Sequence, residues 1–192
     1  MSEPLVLQTA RCTLRQPTRD DAGAVAAFYV RNRDFHAPFE PRRPESYYEE
    51  TYWQGQLEVN NREFVEGRSC RFFLFEKQCA KVIGTANFTG IMRLAMQACY
   101  LGYSLDQDYQ GRGLMSEALK TMIDYAFSPT GMNLHRIMAN HLPDNRRSET
   151  LLKKLGFEVE GYAREYLMID GRWRDHVLTA LTNRNWQPAQ VD

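Results

Sequence analysis

Residues 98–127 read ACYLGYSLDQDYQGRGLMSEALKTMIDYAF and carry the strongest structural signal in the chain. The first eight residues are mostly aromatic or aliphatic, which predicts a strand. From Leu114 onward apolar residues recur every third or fourth position, which predicts an amphipathic helix over residues 114–127. Gly111 and Gly113 lie in the loop between them. The stretch therefore predicts a strand, a glycine-containing loop and a helix in direct succession.

The loop is a candidate anion site. Glycine lets the backbone turn sharply and lets a ligand approach closely. Successive backbone N–H groups and the positive end of the following helix favour a diphosphate, and Arg112 adds a charge at the rim. The alternative is that Gly111 and Gly113 only form a tight turn. Neither a GxxxxGK[ST] loop nor a full GxGxxG fingerprint is present.

The rest of the pattern predicts an α+β fold, with three layers in one domain over residues 1–192. Thr18 and Asp21 are typical of a helix start, and a Pro- and aromatic-rich stretch at 35–44 is predicted to be a loop. A helix is expected over residues 46–65, with Trp53 facing inward. The other expected elements are strands at 71–75, 82–88 and 135–141, a helix at 145–155, and a hairpin of residues 162–169 and 173–181.

Composition excludes several classes of protein. Lysine plus arginine and aspartate plus glutamate number 24 each, so the formal net charge is zero and no polyanion or membrane surface is favoured. No stretch approaches the ~20 apolar residues of a membrane span, and the first ten residues do not form a signal peptide. The four cysteines and four histidines lack metal-ligand spacing. We expect a cytoplasmic protein with free thiols, no metal, and no DNA or membrane partner.

The chain resembles the GNAT acetyltransferases, whose pyrophosphate loop follows the pattern Q/R-x-x-G-x-G/A. Residues 108–113 match this pattern except that Asp108 occupies the first position, which weakens the side-chain contribution there. The opening TARCTLRQPTRDD from Thr9, and the segments HRIMANHLPDNRRSETLLKKLGFEVEGYA and DGRWRDHVLTALT, are similar to the RimJ branch of the family, the ribosomal-protein-alanine acetyltransferases. The resemblance covers nearly the whole chain.

This resemblance implies a central, mixed, mostly antiparallel sheet with a splayed parallel strand pair, flanked by helices. It implies acetyl-CoA as co-substrate. Its pantetheine arm would contact the backbone of Tyr103, Ser104 and Leu105, and Asn145 would hydrogen-bond the arm unless it only caps a helix. The residues implied at the pyrophosphate are Gln110, Gly111, Arg112, Gly113, Leu114 and Met115.

The resemblance also implies catalytic residues. Glu165 matches a family carboxylate proposed as general base, and Ser148 is a candidate acid for the leaving thiolate. Each could instead be an ordinary surface residue. For the acceptor, Glu40 could attract an ammonium group, and the other implied substrate contacts are Phe39, Trp53 and Asn87; packing or solvation explains each equally well.

The reaction that the resemblance implies is direct transfer of an acetyl group to the N-terminal α-amine of an alanine in a small-subunit ribosomal protein, free or in the assembling subunit. An α-amine, with a pKa near 8, is about one-tenth deprotonated at pH 7, far more than a lysine side chain. The alternatives are another protein N-terminus, a small amine, or a ribosome-assembly factor with a secondary acetyl-CoA site. The chain could act as a monomer or a homodimer.

Overall fold

The computed structural model describes residues 5–77 and 79–188. Five α-helices lie in these residues, with bounds α1 Ala22–Arg31, α2 Arg33–His36, α3 Glu50–Val65, α4 Leu114–Phe127 and α5 Arg146–Lys154. The strands are β1 Val6–Gln8, β2 Cys12–Arg15, β3 Cys70–Glu76, β4 Val82–Met92, β5 Ala98–Leu105, β6 Arg136–His141, β7 Glu158–Ile169 and β8 Arg172–Thr182.

One sheet joins these strands in the order β1-β2-β3-β4-β5-β6-β8-β7. Every neighbouring pair is antiparallel except β5 and β6, which are parallel and connected through α4. Their pairing runs only from Ala98 opposite Arg136 to Tyr100 opposite Met138, although both strands continue. The predicted mixed sheet with a splayed parallel pair is therefore confirmed.

The two faces of the sheet carry separate cores. On the face covered by α4 and α5, here called the α4 face, Phe72, Phe88, Leu101 and Ile137 pack against Leu119. On the opposite face, here called the α1 face, a second core is formed by α1, α3 and strands β3 and β4. Burying one such aromatic or aliphatic side chain contributes roughly 1.5–3 kcal/mol, which fixes both helical layers on the sheet.

The structure corrects two local expectations. The stretch at 35–44 is not all loop, because α2 and a short 3-10 turn over Ala37–Phe39 cover its first half, with Pro38 near the start of the turn, where its missing N–H costs nothing. The helix expected over 46–65 is interrupted at its beginning: residues Glu45–Tyr48 form a 3-10 turn, and extended Glu49 precedes α3.

The predicted helix over 114–127 is confirmed at both ends. It begins after Gly113, whose φ is +73°, and it ends at Ser128, just before Pro129. The hairpin prediction is also correct, since Asp170 and Gly171 both have positive φ, at +46° and +74°. No helix among residues 5–77 and 79–188 combines the length and the apolar character needed to cross a bilayer.

Candidate active site

The gap between β5 and β6 exposes one backbone edge of β5. Arg136 N–H donates to Gln97 O (3.1 Å), and Asp106 N–H donates to Ile83 O on the β4 side (2.9 Å). Because successive backbone groups of a strand point to opposite edges, the N–H groups of Tyr103 and Leu105 face the gap. An extended ligand with amide groups could therefore bind beside β5 as an additional strand does.

The same alternation changes the expected role of Ser104. Its backbone N–H and C=O point toward β4, where Ser104 pairs with Thr85. Its hydroxyl lies 3.1 Å from the Thr85 hydroxyl. The backbone N–H and C=O of Ser104 therefore face β4, whereas the N–H groups of Tyr103 and Leu105 face the gap.

The loop at the open end of the gap has the geometry of an anion cradle. Gly111 and Gly113 have φ of +72° and +73°, a conformation that side chains with a Cβ rarely adopt. The chain then enters α4, whose first N–H groups have no partner within the helix. The Gln110 side chain donates to Leu105 O at 2.8 Å and fastens the loop to the end of β5. The residues present thus fit a diphosphate.

A distant arginine braces this loop. Arg11 Nη1 donates to Arg112 O at 2.7 Å, and Arg11 Nε donates to Glu117 Oε2 at 2.7 Å. The Arg112 guanidinium lies 5.3 Å from the centre of the Tyr109 ring. Arg112 does not line the cleft among the described residues, in contrast to its expected place at the pyrophosphate.

Three residues form a polar group on the α4 face of the gap. The hydroxyls of Tyr103 and Ser148 lie 2.7 Å apart, and Asn145 Oδ1 accepts from Ser148 N–H at 3.1 Å. Asn145 is therefore the N-cap of α5, which was one of the two expected roles. The cap holds the start of the helix so that Ser148 reaches Tyr103 of β5. Burial raises the pKa of Tyr103 to about 12, so its hydroxyl stays protonated at neutral pH.

These features line one cleft with a volume of about 1060 Å³. Glu40 is the only carboxylate among the described residues that line it. Its Oε1 lies 3.9 Å from His36 Nδ1, and its Oε2 lies 3.9 Å from Arg43 Nη2. The other predicted residues that the structure brings to the cleft are Phe39, Asn87, Tyr103, Ser104, Leu105, Gln110, Gly111, Gly113, Leu114, Met115, Asn145 and Ser148.

Besides Arg112, two predicted residues lie outside the cleft. Trp53 is 4% exposed and belongs to the α1-face core, where its ring stacks on Tyr29 and its N–H donates to Tyr47 O. Glu165 is exposed at an irregularity of β7, with φ +46°, and its backbone N–H donates to Asp175. Neither lines the cleft, so neither the expected wall nor the expected base is found there.

Sequence reasoning missed the histidines of the cleft. His36, His141 and His176 all line it, and each has one ring nitrogen about 3 Å from a backbone carbonyl, that of Leu105, Leu142 and Arg174 respectively. They are far apart in the sequence and match no motif. The sequence carries one weak signal: His141 and His176 lie in β6 and β8, where alternation directs each side chain to one face of the sheet.

The splayed strand pair and the glycine loop at a helix start are the two parts of an acyl-CoA-binding transferase fold. The sequence matches the acetyltransferase (GNAT) domain over residues 11–158. The chain belongs to the GNAT family of acetyltransferases.

Relatives over the full length are more specific. The [ribosomal protein uS5]-alanine N-acetyltransferase of Escherichia coli K12 is 47% identical over 184 residues, covering 96% of this chain and 94% of the relative. The ribosomal-protein-S5-alanine acetyltransferase of Vibrio fischeri superposes with a TM-score of 0.91 at 36% identity, covering 96% of this chain and 100% of that one. Mycobacterium smegmatis RimJ in complex with CoA-disulfide gives a TM-score of 0.86 at 26% identity, with 96% and 90% covered.

Proposed function

We propose that this enzyme transfers the acetyl group of acetyl-CoA to the N-terminal α-amine of a ribosomal protein that begins with alanine, with the small-subunit protein uS5 as the first candidate. The observation that carries this proposal is the 47% identity to the Escherichia coli enzyme over nearly the full length of both chains. The cleft supports it, because a diphosphate cradle, a free strand edge and a carboxylate occur along one surface.

The donor side would be built mainly from backbone. Backbone N–H groups of the loop and of α4 would hold the pyrophosphate, with Gln110, Gly111, Gly113, Leu114 and Met115 as lining residues. Charge-assisted hydrogen bonds of this kind contribute about 1.5–3 kcal/mol each. Acetyl-CoA supplies an activated thioester when bound. Tyr103 N–H, in the gap, would donate to the thioester oxygen as negative charge develops there.

The chemistry requires one C–N bond to form and one C–S bond to break. The neutral amine attacks the thioester carbonyl carbon, and the thiolate leaves. Ser148 and Tyr103, whose hydroxyls lie 2.7 Å apart, would donate hydrogen bonds to the departing sulfur and pass it a proton that solvent replaces. The amine loses one proton, so the overall balance of protons is zero.

The acceptor side would select a cationic chain end. Glu40, as the only carboxylate among the described cleft residues, would attract the α-ammonium group, and Phe39, at 41% exposure, offers an apolar surface beside it. An α-amine needs only a modest base because its pKa lies near 8. Asn87 lines the cleft, and its buried Oδ1 has no hydrogen-bond partner among the described residues.

The test is mass spectrometry of ribosomal proteins after incubation with the enzyme and isotope-labelled acetyl-CoA, both as free proteins and as small subunits. We expect one label on the N-terminus of a protein that begins with alanine. Label on lysines, on other N-termini, or on an added polyamine instead would overturn the proposal. Co-sedimentation of the enzyme with assembling subunits tests, separately, whether it acts there.

A further inference from the structure

The base of the reaction remains to be assigned, since Glu165 lies outside the cleft. The leaving sulfur fixes where to look. Tyr103 and Ser148 lie on the α4 face, because Tyr103 packs against the α4-face core and α5 contributes Leu152 to it. The amine adds to a face of the planar thioester carbonyl. With the leaving-group donors on the α4 face, the α1 face is left for the acceptor, where Asn87 lies because it alternates with Phe88 of the α4-face core, so a base that serves the amine belongs on the α1 face of the same gap.

The strand register identifies which histidine lies on that face. Ile137 and Ala139 of β6 belong to the α4-face core, so by alternation His141 lies on the α4 face. Leu181 of β8 packs against the same core, so His176, five residues earlier, lies on the α1 face. His36 also lines the cleft, but its Nε2 lies 3.0 Å from Leu105 O and its Nδ1 lies 3.9 Å from Glu40 Oε1, so both of its ring nitrogens have partners.

The hydrogen bond of His176 fixes its tautomer. Nδ1 lies 3.0 Å from Arg174 O, and a carbonyl can only accept, so Nδ1 carries the proton. Nε2 then has a free lone pair. His176 is 3% exposed and lines the cleft, and no hydrogen bond joins its Nε2 to another described residue.

We propose that His176 Nε2 is the general base, which takes the proton from the α-ammonium group of the acceptor, directly or through one water. His176 releases that proton to solvent, and the neutral amine nitrogen forms the C–N bond as the C–S bond breaks. The nitrogen then loses its second proton to His176, which passes it to solvent, while the sulfur receives a proton from the Ser148 and Tyr103 pair that solvent replaces. The net reaction releases one proton. This assignment rests on the proposed function.

The surroundings of His176 keep it neutral. Burial lowers the pKa of His176 below its usual 6.5, opposed by the hydrogen bond to Arg174 O. The charged or titratable groups close enough to act on it are His141 of β6, on the opposite face of the sheet, Tyr166 of β7, at 5.7 Å between ring centres, and Arg174 and Asp175 of its own strand. A base that is neutral at pH 7 can accept a proton directly.

His176→Asn tests the assignment, because asparagine can keep a donor near the Nδ1 position and loses Nε2. We expect kcat/KM on an alanine-first peptide to fall at least 100-fold at pH 7, with acetyl-CoA affinity unchanged. Wild-type kcat/KM should be flat between the His176 pKa and about pH 8. The kcat/KM of the variant should instead rise tenfold per pH unit over this window, because only amine that is already deprotonated in solution reacts. The difference in kcat/KM between the variant and the wild type should be smaller at pH 9.

His135→Asn is the control for loss of a histidine outside the site, because His135 lies beside Trp186 and does not line the cleft; its replacement should change kcat/KM less than threefold. If kcat/KM of His176→Asn falls less than threefold and does not depend on pH over this window, the assignment is wrong. If the asparagine variant does not fold, the same result in His176→Gln has the same meaning. Failure of the proposed function has a different signature, since wild-type enzyme would then not acetylate the peptide. In that case the same variants are compared on whichever amine it acetylates.

Discussion

The two sides of the cleft are built in different ways. The donor side comes from one continuous stretch, β5, its loop and the start of α4, and its hydrogen-bonding groups are mainly backbone N–H groups whose direction follows from the strand and the two glycines. The acceptor side is assembled from α2, the turn after it, β4, β6 and β8, and it depends on side chains such as Glu40 and His176.

This difference teaches where substitutions should act. Backbone hydrogen bonds do not depend on the side chains of the same residues. On the donor side, we therefore expect replacement of a glycine to reduce cofactor binding and replacement of Asp108, at the first motif position, to have little effect. Side-chain chemistry tolerates small backbone shifts but not loss of a functional group, so the acceptor side is sensitive to conservative replacements. Variants on each side should therefore separate the two, starting from the largest expected effect.

Gly111→Ala should damage only the donor side. Its φ of +72° is strained for alanine, and relaxing the strain turns loop N–H groups away from the anion. We expect the Kd for CoA to rise roughly thirtyfold, which corresponds to about 2 kcal/mol, in isothermal titration. The acceptor KM at saturating acetyl-CoA should stay within twofold.

Gly67→Ala is the control for strain alone. Gly67 has a φ of +68° and open space where an added methyl group would lie, just as Gly111 has, but it follows α3 and does not line the cleft. Both variants should lose similar thermal stability, and only Gly111→Ala should lose CoA affinity. Equal CoA affinities in the two variants would show that the loop backbone is not the cradle.

Ser148→Ala should lower kcat about tenfold without changing the Kd for acetyl-CoA, because Ser148 donates toward the sulfur only as the C–S bond breaks. Tyr103, 2.7 Å away, retains part of the effect. Rapid-quench measurement of a single turnover checks this value. Acetyl thioesters whose leaving thiol is more acidic should restore the rate of the variant. If they do not, Ser148 does not assist the departure of the thiolate.

The same contrast explains what the sequence can predict. Helix α4, the strand β5 and the Asp170-Gly171 turn follow from local pattern alone, because periodicity and turn chemistry act within a few residues. The tautomer of His176 depends on a carbonyl two residues away, but its place in the site depends on the pairing of β6 with β8, some 40 residues apart in the chain, as in Ala139 opposite Thr179. Burial of Trp53 likewise depends on Tyr29 of another helix, which no local pattern reports.

Glu40→Gln should damage only the acceptor side. A partly exposed carboxylate beside an ammonium group contributes about 1 kcal/mol, so we expect the peptide KM to rise about fivefold and kcat to change little. Glu45→Gln is the control, since Glu45 is exposed, pairs with Arg33 and does not line the cleft. If Glu40→Gln raised the KM of a peptide and of an uncharged small acceptor equally, Glu40 would not recognise the positive charge of the ammonium group.

The smallest effect concerns the contact between Arg11 and Glu117, which braces the loop of the donor side. The Thr9 hydroxyl and the guanidinium and backbone N–H of Arg11 lower the pKa of Glu117 to about 2. A carboxylate whose pKa is lowered by folding stabilises the fold above its unfolded value, near 4.3, and this stabilisation is lost as the pH falls toward 2. Glu117→Gln should therefore cost about 1 kcal/mol at pH 7, discounted for partial exposure, and about half as much at pH 3.

Urea unfolding at the two pH values measures this difference, with Glu45→Gln as an exposed control. The variant should also weaken CoA binding two- to threefold, because Arg11, 106 residues from Glu117 in the chain, would then hold Arg112 O less firmly. A full loss of CoA binding would mean that the donor side depends on this brace as strongly as the acceptor side depends on its side chains. Unchanged binding would mean that the β5 edge and the loop glycines suffice to build the cradle.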